Sequence, residues 1–205
     1  MTRILAFTDP HGSLESASAI LELAQREQPE HVVCAGDFSY FGTRFDGFLT
    51  RLRELGKVVY YVNGNHETEA TTREMECWFP FMQNVEYQVV DGESFRIGGL
   101  PATGEYWPGG RADEGAVHSA TAMLKNPGGL PFILLSHYPP WMSAIAGYSA
   151  MTPDSGGSRT VLRILDALKP TLVICGHYHQ DFGKEDRIGP IRLVNPGPNG
   201  KIIEI

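Results

Sequence analysis

The 205-residue sequence has few cysteines, no surplus of basic residues and no long apolar segment. Its three cysteines, Cys34, Cys77 and Cys175, are an odd number and lack the paired CxxC spacing of zinc and redox motifs. This scarcity disfavours a cysteine-rich structural zinc site and leads us to expect reduced thiols in a cytoplasmic protein. Cys34 and Cys175 lie in apolar segments, which predicts that they are small buried core residues.

The charge balance and the hydropathy disfavour two further classes of protein. A net charge of −7 argues against a nucleic-acid coat protein or a basic membrane-binding face. The N-terminal apolar run is too short for a secretory leader, and no segment approaches the roughly 20 apolar residues that span a bilayer. We therefore expect no membrane partner and no nucleic-acid partner, and the sequence leaves self-association into a homo-oligomer open.

Length and hydrophobic pattern predict an α/β protein with a single domain over residues 1–205. Short apolar segments alternate with amphipathic ones in the first third, which favours right-handed crossovers and a mainly parallel sheet. A hairpin is expected at Asp91-Gly92, between strands at 85–90 and 94–97. The other predicted strands are 3–8, 31–35, 57–62, 132–136 and 171–175, and the predicted helices are 14–28, 44–55, 116–125 and 158–168.

Polar side chains with metal-binding chemistry follow five of these strands directly. Five of the seven histidines lie at such positions, each beside Asp, Asn, Gly or another His. Because the carboxyl ends of strands meet at one edge of an open α/β sheet, we expect these segments to converge. The segments contain Asp9 and His11, then Asp37, then Asn65 and His66, then His137, and finally His177 and His179.

The spacing and the residue types indicate a metal site. Asp9 and His11, like His177 and His179, are i, i+2 pairs whose side chains point the same way from extended backbone. Imidazole and carboxylate ligands suit iron, zinc or manganese. A single histidine at a strand end is usually an ordinary residue, so the prediction depends on five such segments in one chain. His31 and His118 have no such neighbours and are expected to be ordinary residues.

These motifs resemble those of the calcineurin-like metallophosphoesterases. That family carries Asp-x-His, Gly-Asp, Gly-Asn-His-Asp/Glu, His and Gly-His-x-His in this order, and every ligand position is matched here. Asp9, Asp37 and Asn65 follow one another at intervals of 28 residues. The Ser-His-Tyr-Pro-Pro segment at 136–140 and the Val-Asn-Pro-Gly segment at 194–197 are similar to the phosphodiesterase-like, Icc-type branch of the family.

The resemblance implies a fold, a cofactor and a mechanism. The fold is a four-layer α/β/β/α sandwich of two mixed sheets, and the cofactor is a pair of transition-metal ions: manganese, iron or zinc. Asp37 would bridge the ions, a hydroxide shared between them would attack phosphorus, and His66 would donate to the phosphate or the leaving oxygen. The implied ligands are Asp9, His11, Asp37 and His179 for one ion, and Asp37, Asn65, His137 and His177 for the other.

The sequence departs from the protein-phosphatase members at one motif. Those members carry Gly-Asp-x-x-Asp-Arg, whose second Asp orients the catalytic histidine, whereas this chain has Gly36-Asp37-Phe38-Ser39-Tyr40. The partner of His66 is left open between Tyr40 and Glu67. The expected activity is therefore hydrolysis of small-molecule or nucleotide phosphodiesters. A phosphomonoesterase, a protein phosphatase and a non-catalytic scaffold are the alternatives.

Two loops carry aromatic residues with two possible roles. The residues are Tyr106 and Trp107, with Arg111 nearby, and Tyr138, Trp141 and Tyr148. Their rings either stack on a base or an aryl leaving group, or pack the loops against the body of the protein.

Overall fold

Eleven strands form two sheets in a computed structural model of the protein, which describes residues 2–125, 128–147 and 156–205. The strands of the first sheet are β1 (Arg3–Phe7), β2 (His31–Cys34), β3 (Val59–Tyr61), β4 (Met82–Asn84) and β11 (Lys201–Glu204). The strands of the second sheet are β5 (Val89–Asp91), β6 (Arg96–Leu100), β7 (Phe132–Ser136), β8 (Leu172–Cys175), β9 (Glu185–Ile188) and β10 (Ile191–Val194).

Five α-helices cover these sheets in the described part of the chain. They are α1 (Leu14–Glu27), α2 (Phe45–Leu52), α3 (Glu69–Trp78), α4 (Glu114–Met123) and α5 (Arg159–Leu168). Short 3₁₀ turns lie at Arg53–Leu55, Gly104–Tyr106 and His179–Asp181. Within residues 2–125, 128–147 and 156–205, no helix combines the length and apolar character that crossing a membrane requires.

Side-chain caps fix where four of the helices begin. Ser13, Thr68, Asp113 and Ser158 each accept a hydrogen bond from the backbone N–H three residues later. Such a cap satisfies one of the donors that the first turn of a helix leaves unpaired. Helices α1 and α3 begin shortly after the segments that contain Asp9 and His11, and Asn65 and His66.

Strand order places the carboxyl ends of the central strands together. The first sheet has the order β11-β1-β2-β3-β4, in which β1 to β4 are parallel and β11 is antiparallel to β1. The second sheet has the order β5-β6-β7-β8-β10-β9, in which β6, β7, β8 and β10 are parallel. Its outer strands β5 and β9 pair antiparallel with their neighbours.

Three apolar clusters produce four layers, which confirms the predicted α/β/β/α sandwich. Along β1, Leu5 and Phe7 face the layer of α1, α2 and α3, whereas Ile4 and Ala6 face the second sheet. The second sheet packs its other face against α4 and α5, with Val161 and Leu165 among the contacts. Both faces of the central strands are covered, and this explains their continuous apolar sequences.

The structure differs from the sequence-based prediction mainly between residues 69 and 91. Helix α3 and strand β4 were not predicted, and β5 starts at Val89 although a strand was predicted over 85–90. The hairpin at Asp91-Gly92 is present, with β5 antiparallel to β6. Cys34 and Cys175 are buried core residues as predicted, and Cys77 is exposed on α3.

Candidate metal centre

All seven candidate ligands lie at the carboxyl ends of strands, where the two sheets meet. Four come from the first sheet and three from the second. Asp9 and His11 follow β1, Asp37 follows β2, Asn65 follows β3, His137 follows β7, and His177 and His179 follow β8. The site therefore takes ligands from both halves of the sandwich.

One group of ligand atoms contains Asp9, His11 and His179, and these atoms all lie within 4.8 Å of one another. His11 Nε2 is 3.3 Å from His179 Nε2, and His179 Nε2 is 3.5 Å from Asp9 Oδ1. Two ligands about 2.1 Å from a shared ion, at a tetrahedral angle, lie about 3.4 Å apart. The separations therefore fit one transition-metal ion.

A second group surrounds the side-chain oxygen of Asn65. Asn65 Oδ1 is 3.0 Å from both His137 Nε2 and His177 Nδ1. The Nδ1–H of His137 donates to the Ala35 carbonyl oxygen at 2.9 Å, so a neutral His137 presents only a lone pair at Nε2. Two lone pairs this close repel unless a proton or a metal ion lies between them. The donor set thus fits a bound cation.

The pKa values of the two histidines in this group shift in opposite directions. Burial opposes a raised pKa at His137, but the carboxylates of Asp37 and Asp9 outweigh burial and raise it. Burial, together with the charge of His137, lowers the pKa of His177 to about 4. His177 is consequently neutral near pH 7, as a metal ligand must be.

Asp37 lies between the two groups and is 3 % exposed. Its Oδ1 accepts a hydrogen bond from the His66 backbone N–H at 3.0 Å. Its Oδ2 faces His11 Nε2 at 3.7 Å and His137 Nε2 at 3.5 Å, which places one oxygen against both groups. A carboxylate oxygen in this position is suited to bridging two ions.

Backbone hydrogen bonds fix one tautomer for the candidate ligands His11 and His137 and the opposite tautomer for His66. The Nδ1–H of His11 donates to the Ser39 carbonyl oxygen at 3.0 Å, which leaves a lone pair on Nε2 as in His137. In contrast, His66 Nδ1 accepts from the Phe41 backbone N–H at 3.3 Å, so its proton is on Nε2. His66 Nε2 lies 3.9 Å from Asp37 Oδ2, within a possible metal-binding group, but a protonated nitrogen donates and does not coordinate.

The backbone around the site adopts conformations that few residues tolerate. Asp9, His11, Asp37 and His177 have φ values of 54°, 45°, 56° and 71°. Non-glycine residues in this region are uncommon and tend to occur at functional sites, where surrounding contacts hold them. A Cβ added at Gly64 would overlap Asp37 Oδ1, so the close approach at this glycine requires the absence of a side chain.

The Glu67 side chain holds the backbone of two loops of the site. It does not contact the His66 ring, which it was one of two candidates to orient. Its carboxylate accepts hydrogen bonds from the backbone N–H groups of Asp37, Gly64 and Ser39 at 2.8–2.9 Å, and from the Ser39 hydroxyl at 2.7 Å. Burial and the charge of Asp37 raise the pKa of Glu67. Glu67 therefore ties the loop after β2 to the loop after β3.

Phe41 contacts His66 through both its ring and its backbone N–H, and no sequence motif singled it out. The Phe41 ring stacks on the imidazole, with ring centres 3.9 Å apart and an interplanar angle of 24°. Tyr40, the other sequence-based alternative, contacts the same ring more loosely at 5.7 Å. No acidic residue precedes or follows Phe41, so a motif search would not single it out.

Most of the aromatic residues in the two loops pack against the body of the protein. Tyr106 and Tyr138 are buried, and the Trp141 ring lies 4.1 Å from the Arg159 guanidinium. Trp107 is 54 % exposed and contacts the His177 ring edge to face at 5.9 Å. Arg111 is exposed, and Tyr148 lies outside the described residues.

A cavity of about 430 Å³ lies beside Gly64, bounded by α3 and the loops after β3, β4 and β6. Asn63, Asn84, Glu86 and Thr103 are among the residues that line it. Its volume falls in the range of small-molecule pockets, which is about 300–1,000 Å³. The residues that line it include none of the candidate ligands and not His66, so the cavity is separate from the candidate centre.

Solved structures with the same fold include several phosphoesterases. A Thermus thermophilus protein, TT1561, is 21 % identical with a TM-score of 0.70, and the match covers 96 % of this chain and 89 % of that one. A dimetal phosphatase from Danio rerio is 14 % identical with a TM-score of 0.60, over 94 % and 86 %. An archaeal phosphodiesterase is 16 % identical with a TM-score of 0.50, over 96 % and 84 %.

No curated protein sequence matches the chain significantly. The family model for calcineurin-like phosphoesterases matches residues 2–181, which include all the candidate ligands and His66. Since this match covers most of the sequence, the chain belongs to the calcineurin-like phosphoesterase family.

Proposed function

We propose that the protein is a two-metal phosphodiesterase that acts on small-molecule or nucleotide phosphodiesters. Manganese, iron and zinc all suit the mixed imidazole and carboxylate ligands. His66 would bind substrate and would not coordinate metal. One ion would be held by Asp9, His11, Asp37 and His179, and the other by Asp37, Asn65, His137 and His177.

The position of Asp37 is the observation that carries this proposal. Its Oδ2 lies within 3.7 Å of imidazole nitrogens from both ligand groups, while its Oδ1 is held by the backbone. A carboxylate that served a single ion would not need ligands on both sides. The Nδ1–H groups of His11 and His137 are held by backbone carbonyl oxygens, which leaves Nε2 of each ring to face the candidate centre.

The charge of the site supports phosphoester chemistry. When bound, two divalent ions would supply about +4 against about −2 from Asp9 and Asp37, and would lower the pKa of a water towards neutrality. The protein itself orients the substrate. His66 directs its Nε2–H into the site, where a phosphoryl oxygen or a leaving oxygen would accept the hydrogen bond.

The exposed Trp107 ring beside His177 supports a diester over a monoester. An aryl or base substituent of a phosphodiester would stack on this ring. A diester needs space for two substituents, whereas a monoester needs one space and a stronger anion grip. The Asp-Arg pair of the protein-phosphatase motif, which would strengthen that grip, is absent after Asp37.

A comparison of matched substrates tests the proposal. With Mn²⁺ bound, we expect a higher kcat/KM on bis(4-nitrophenyl) phosphate than on 4-nitrophenyl phosphate, and little activity on phosphoserine peptides. A preference for the monoester or for the peptides would establish a phosphatase instead. Metal-loaded protein that hydrolyses none of these would favour a scaffold. Asp37→Ala, purified in parallel, controls for a contaminating hydrolase.

A further inference from the structure

The turn at residues 40–43 has an unusual sequence for its conformation. Tyr40 and Thr43 exchange both backbone hydrogen bonds, at 2.9 and 3.2 Å, and the two central residues have positive φ, 49° at Phe41 and 76° at Gly42. These are features of a type I′ turn, which favours Asn, Asp or Gly at the first central position. A bulky aromatic residue with positive φ is a costly choice there.

Burial does not explain that choice. Phe41 is 65 % exposed, so its ring gains little from the hydrophobic effect. The ring stacks on His66 at 3.9 Å and meets the Tyr40 ring edge to face at 5.2 Å. Strained residues that persist in proteins are held by surrounding structure and cluster at active sites.

The turn is anchored so that its backbone also reaches His66. The Gly42 N–H donates to the buried Ser39 hydroxyl oxygen at 3.1 Å, and that hydroxyl donates to Glu67. This anchoring holds the Phe41 N–H against His66 Nδ1 at 3.3 Å. An N–H group can only donate, so this contact is lost whenever Nδ1 carries a proton.

We propose that Phe41 is a positioning residue for His66, in place of the acidic side chain that orients the histidine in the protein phosphatases. The inference rests on the proposed function. The Phe41 N–H selects the Nε2–H tautomer, and the Phe41 ring fixes the plane of the imidazole. His66 then acts as a neutral hydrogen-bond donor to a phosphoryl oxygen, and no proton needs to leave it.

The first test reads the tautomer directly in metal-free protein. In ¹⁵N–¹H spectra of the imidazoles, we expect the proton of His66 on Nε2 and the proton of His11 on Nδ1. A His66 proton on Nδ1 would overturn the inference. This measurement needs neither metal nor substrate, so it does not depend on the proposed activity.

The second test separates backbone strain from positioning. Phe41→Asn suits the turn and keeps the N–H but removes the ring. We expect a higher melting temperature, a kcat lower by about tenfold and an unchanged KM. Phe41→Tyr keeps the stacking ring and should retain nearly the wild-type kcat. Lys169→Asn is the matched control, because Lys169 is an exposed residue with φ of 46° at the end of α5; it should gain stability without a change in kcat.

Two outcomes in an active enzyme would contradict the positioning role. An unchanged kcat in Phe41→Asn would show that the ring does not position His66. A raised KM for aryl substrates with an unchanged kcat would show that the ring contacts the substrate instead. Failure of the proposed function would look different, because the wild-type protein itself would then prefer the monoester or the peptides, or would hydrolyse no phosphoester.

Discussion

At the scale of single residues, backbone groups set which imidazole nitrogen carries a proton in three histidines of the candidate site. Two carbonyl oxygens hold the Nδ1–H of His11 and His137, whereas one N–H holds the unprotonated Nδ1 of His66. Histidines of the same type and in the same site are thereby given different chemistry. Substitutions at these positions should therefore separate metal binding from turnover.

Replacing Asp37 and His66 should have distinguishable effects. Asp37→Ala removes an oxygen that faces both ligand groups, so we expect loss of bound metal together with loss of activity. His66→Ala should retain both ions yet lose about 10²-fold in kcat, because only a donor to the substrate is removed. Elemental analysis beside steady-state kinetics measures both properties. If His66→Ala releases metal as fully as Asp37→Ala does, the assigned roles are wrong.

Glu67 should be a large contributor to stability, although it is not one of the candidate ligands. Glu67→Ala would leave the N–H groups of Asp37, Gly64 and Ser39 without their acceptor. We expect the free energy of unfolding to fall by about 3 kcal/mol or more. Urea denaturation of the metal-free protein measures this change.

Glu69→Ala is the control for that measurement. Glu69 is nearby in sequence, but its side chain is 92 % exposed and pairs with Arg73 at 3.5 Å. We expect its removal to change the free energy of unfolding by no more than about 0.5 kcal/mol. Equal effects from the two variants would show that Glu67 is not a special support for the loops.

At the scale of elements, periodicity predicted the buried strands well and the short elements poorly. Strands such as β7 are covered on both faces and are therefore apolar throughout, so they stand out in sequence. Helix α3 buries only Thr71 and Met75 and gives almost no apolar stripe, and β4 has three residues. The 40–43 turn lacks the Asn-Gly signal of its type, which is why Phe41 escaped prediction.

The ligand segments were easier to place than their supports for a physical reason. Metal ligands must be particular residue types at strand ends, so they leave a pattern in the sequence. The groups that orient them are largely backbone carbonyl and N–H groups, such as those of Ala35 and Phe41, which any residue supplies. The metal ligand roles themselves stay predictions until metal is measured, as does the single domain over residues 1–205.

Glu185 forms two ion pairs, one of which links the outer strands of the two sheets, and these pairs should make the free energy of unfolding depend on pH. Glu185 on β9 pairs with Arg192 on β10 at 2.9 Å and with Lys201 on β11 at 2.8 Å. The hydrogen bond from Arg192, with that from Lys201, lowers the pKa of Glu185 from 4.5 to about 2. Because the pKa is lower in the folded protein, the stabilisation is complete above pH 4.5 and is lost as pH falls towards 2.

Glu185→Gln should therefore lower the free energy of unfolding of the metal-free protein at pH 6 and make it depend less on pH in acid. We expect the free energy of unfolding to fall by about 1 kcal/mol, because partial solvent exposure screens the pair. Between pH 4.5 and 3, the difference in free energy of unfolding between wild type and variant should become smaller. Urea denaturation at a series of pH values measures this difference. Glu204→Gln, which breaks a half-exposed pair with Arg3 at 3.5 Å, should cost no more than about 0.5 kcal/mol at pH 6. If the difference between wild type and Glu185→Gln grew as pH fell, the pH dependence could not be assigned to Glu185.

At the scale of the whole molecule, the candidate centre lies across the joint between the two sheets. Asp9, Asp37 and Asn65 belong to the first sheet, and His137 and His177 belong to the second. Separating the sheets would separate the ligands. Metal binding and the packing of one sheet on the other should therefore be thermodynamically coupled.

Bound Mn²⁺ should accordingly stabilise the folded protein. At 100 times the dissociation constant, one site contributes about 2.7 kcal/mol. We expect a higher melting temperature with Mn²⁺ than with a chelator, and no such shift in Asp37→Ala. Differential scanning calorimetry measures the shift. An equal shift in both proteins would mean that the metal binds elsewhere, and no shift in the wild type would contradict the coupling.

The division of the ligands between the two sheets also has a consequence for synthesis on the ribosome. Asp9, Asp37 and Asn65 emerge early, whereas His177 follows 112 residues after Asn65, and β11, which pairs beside β1, follows later still. With the proposed ligands, a nascent chain carries the acidic half of the centre long before the histidines that complete it. Chains that stop before β8 would then hold no complete pair of ions, so metal loading would distinguish finished chains from truncated ones.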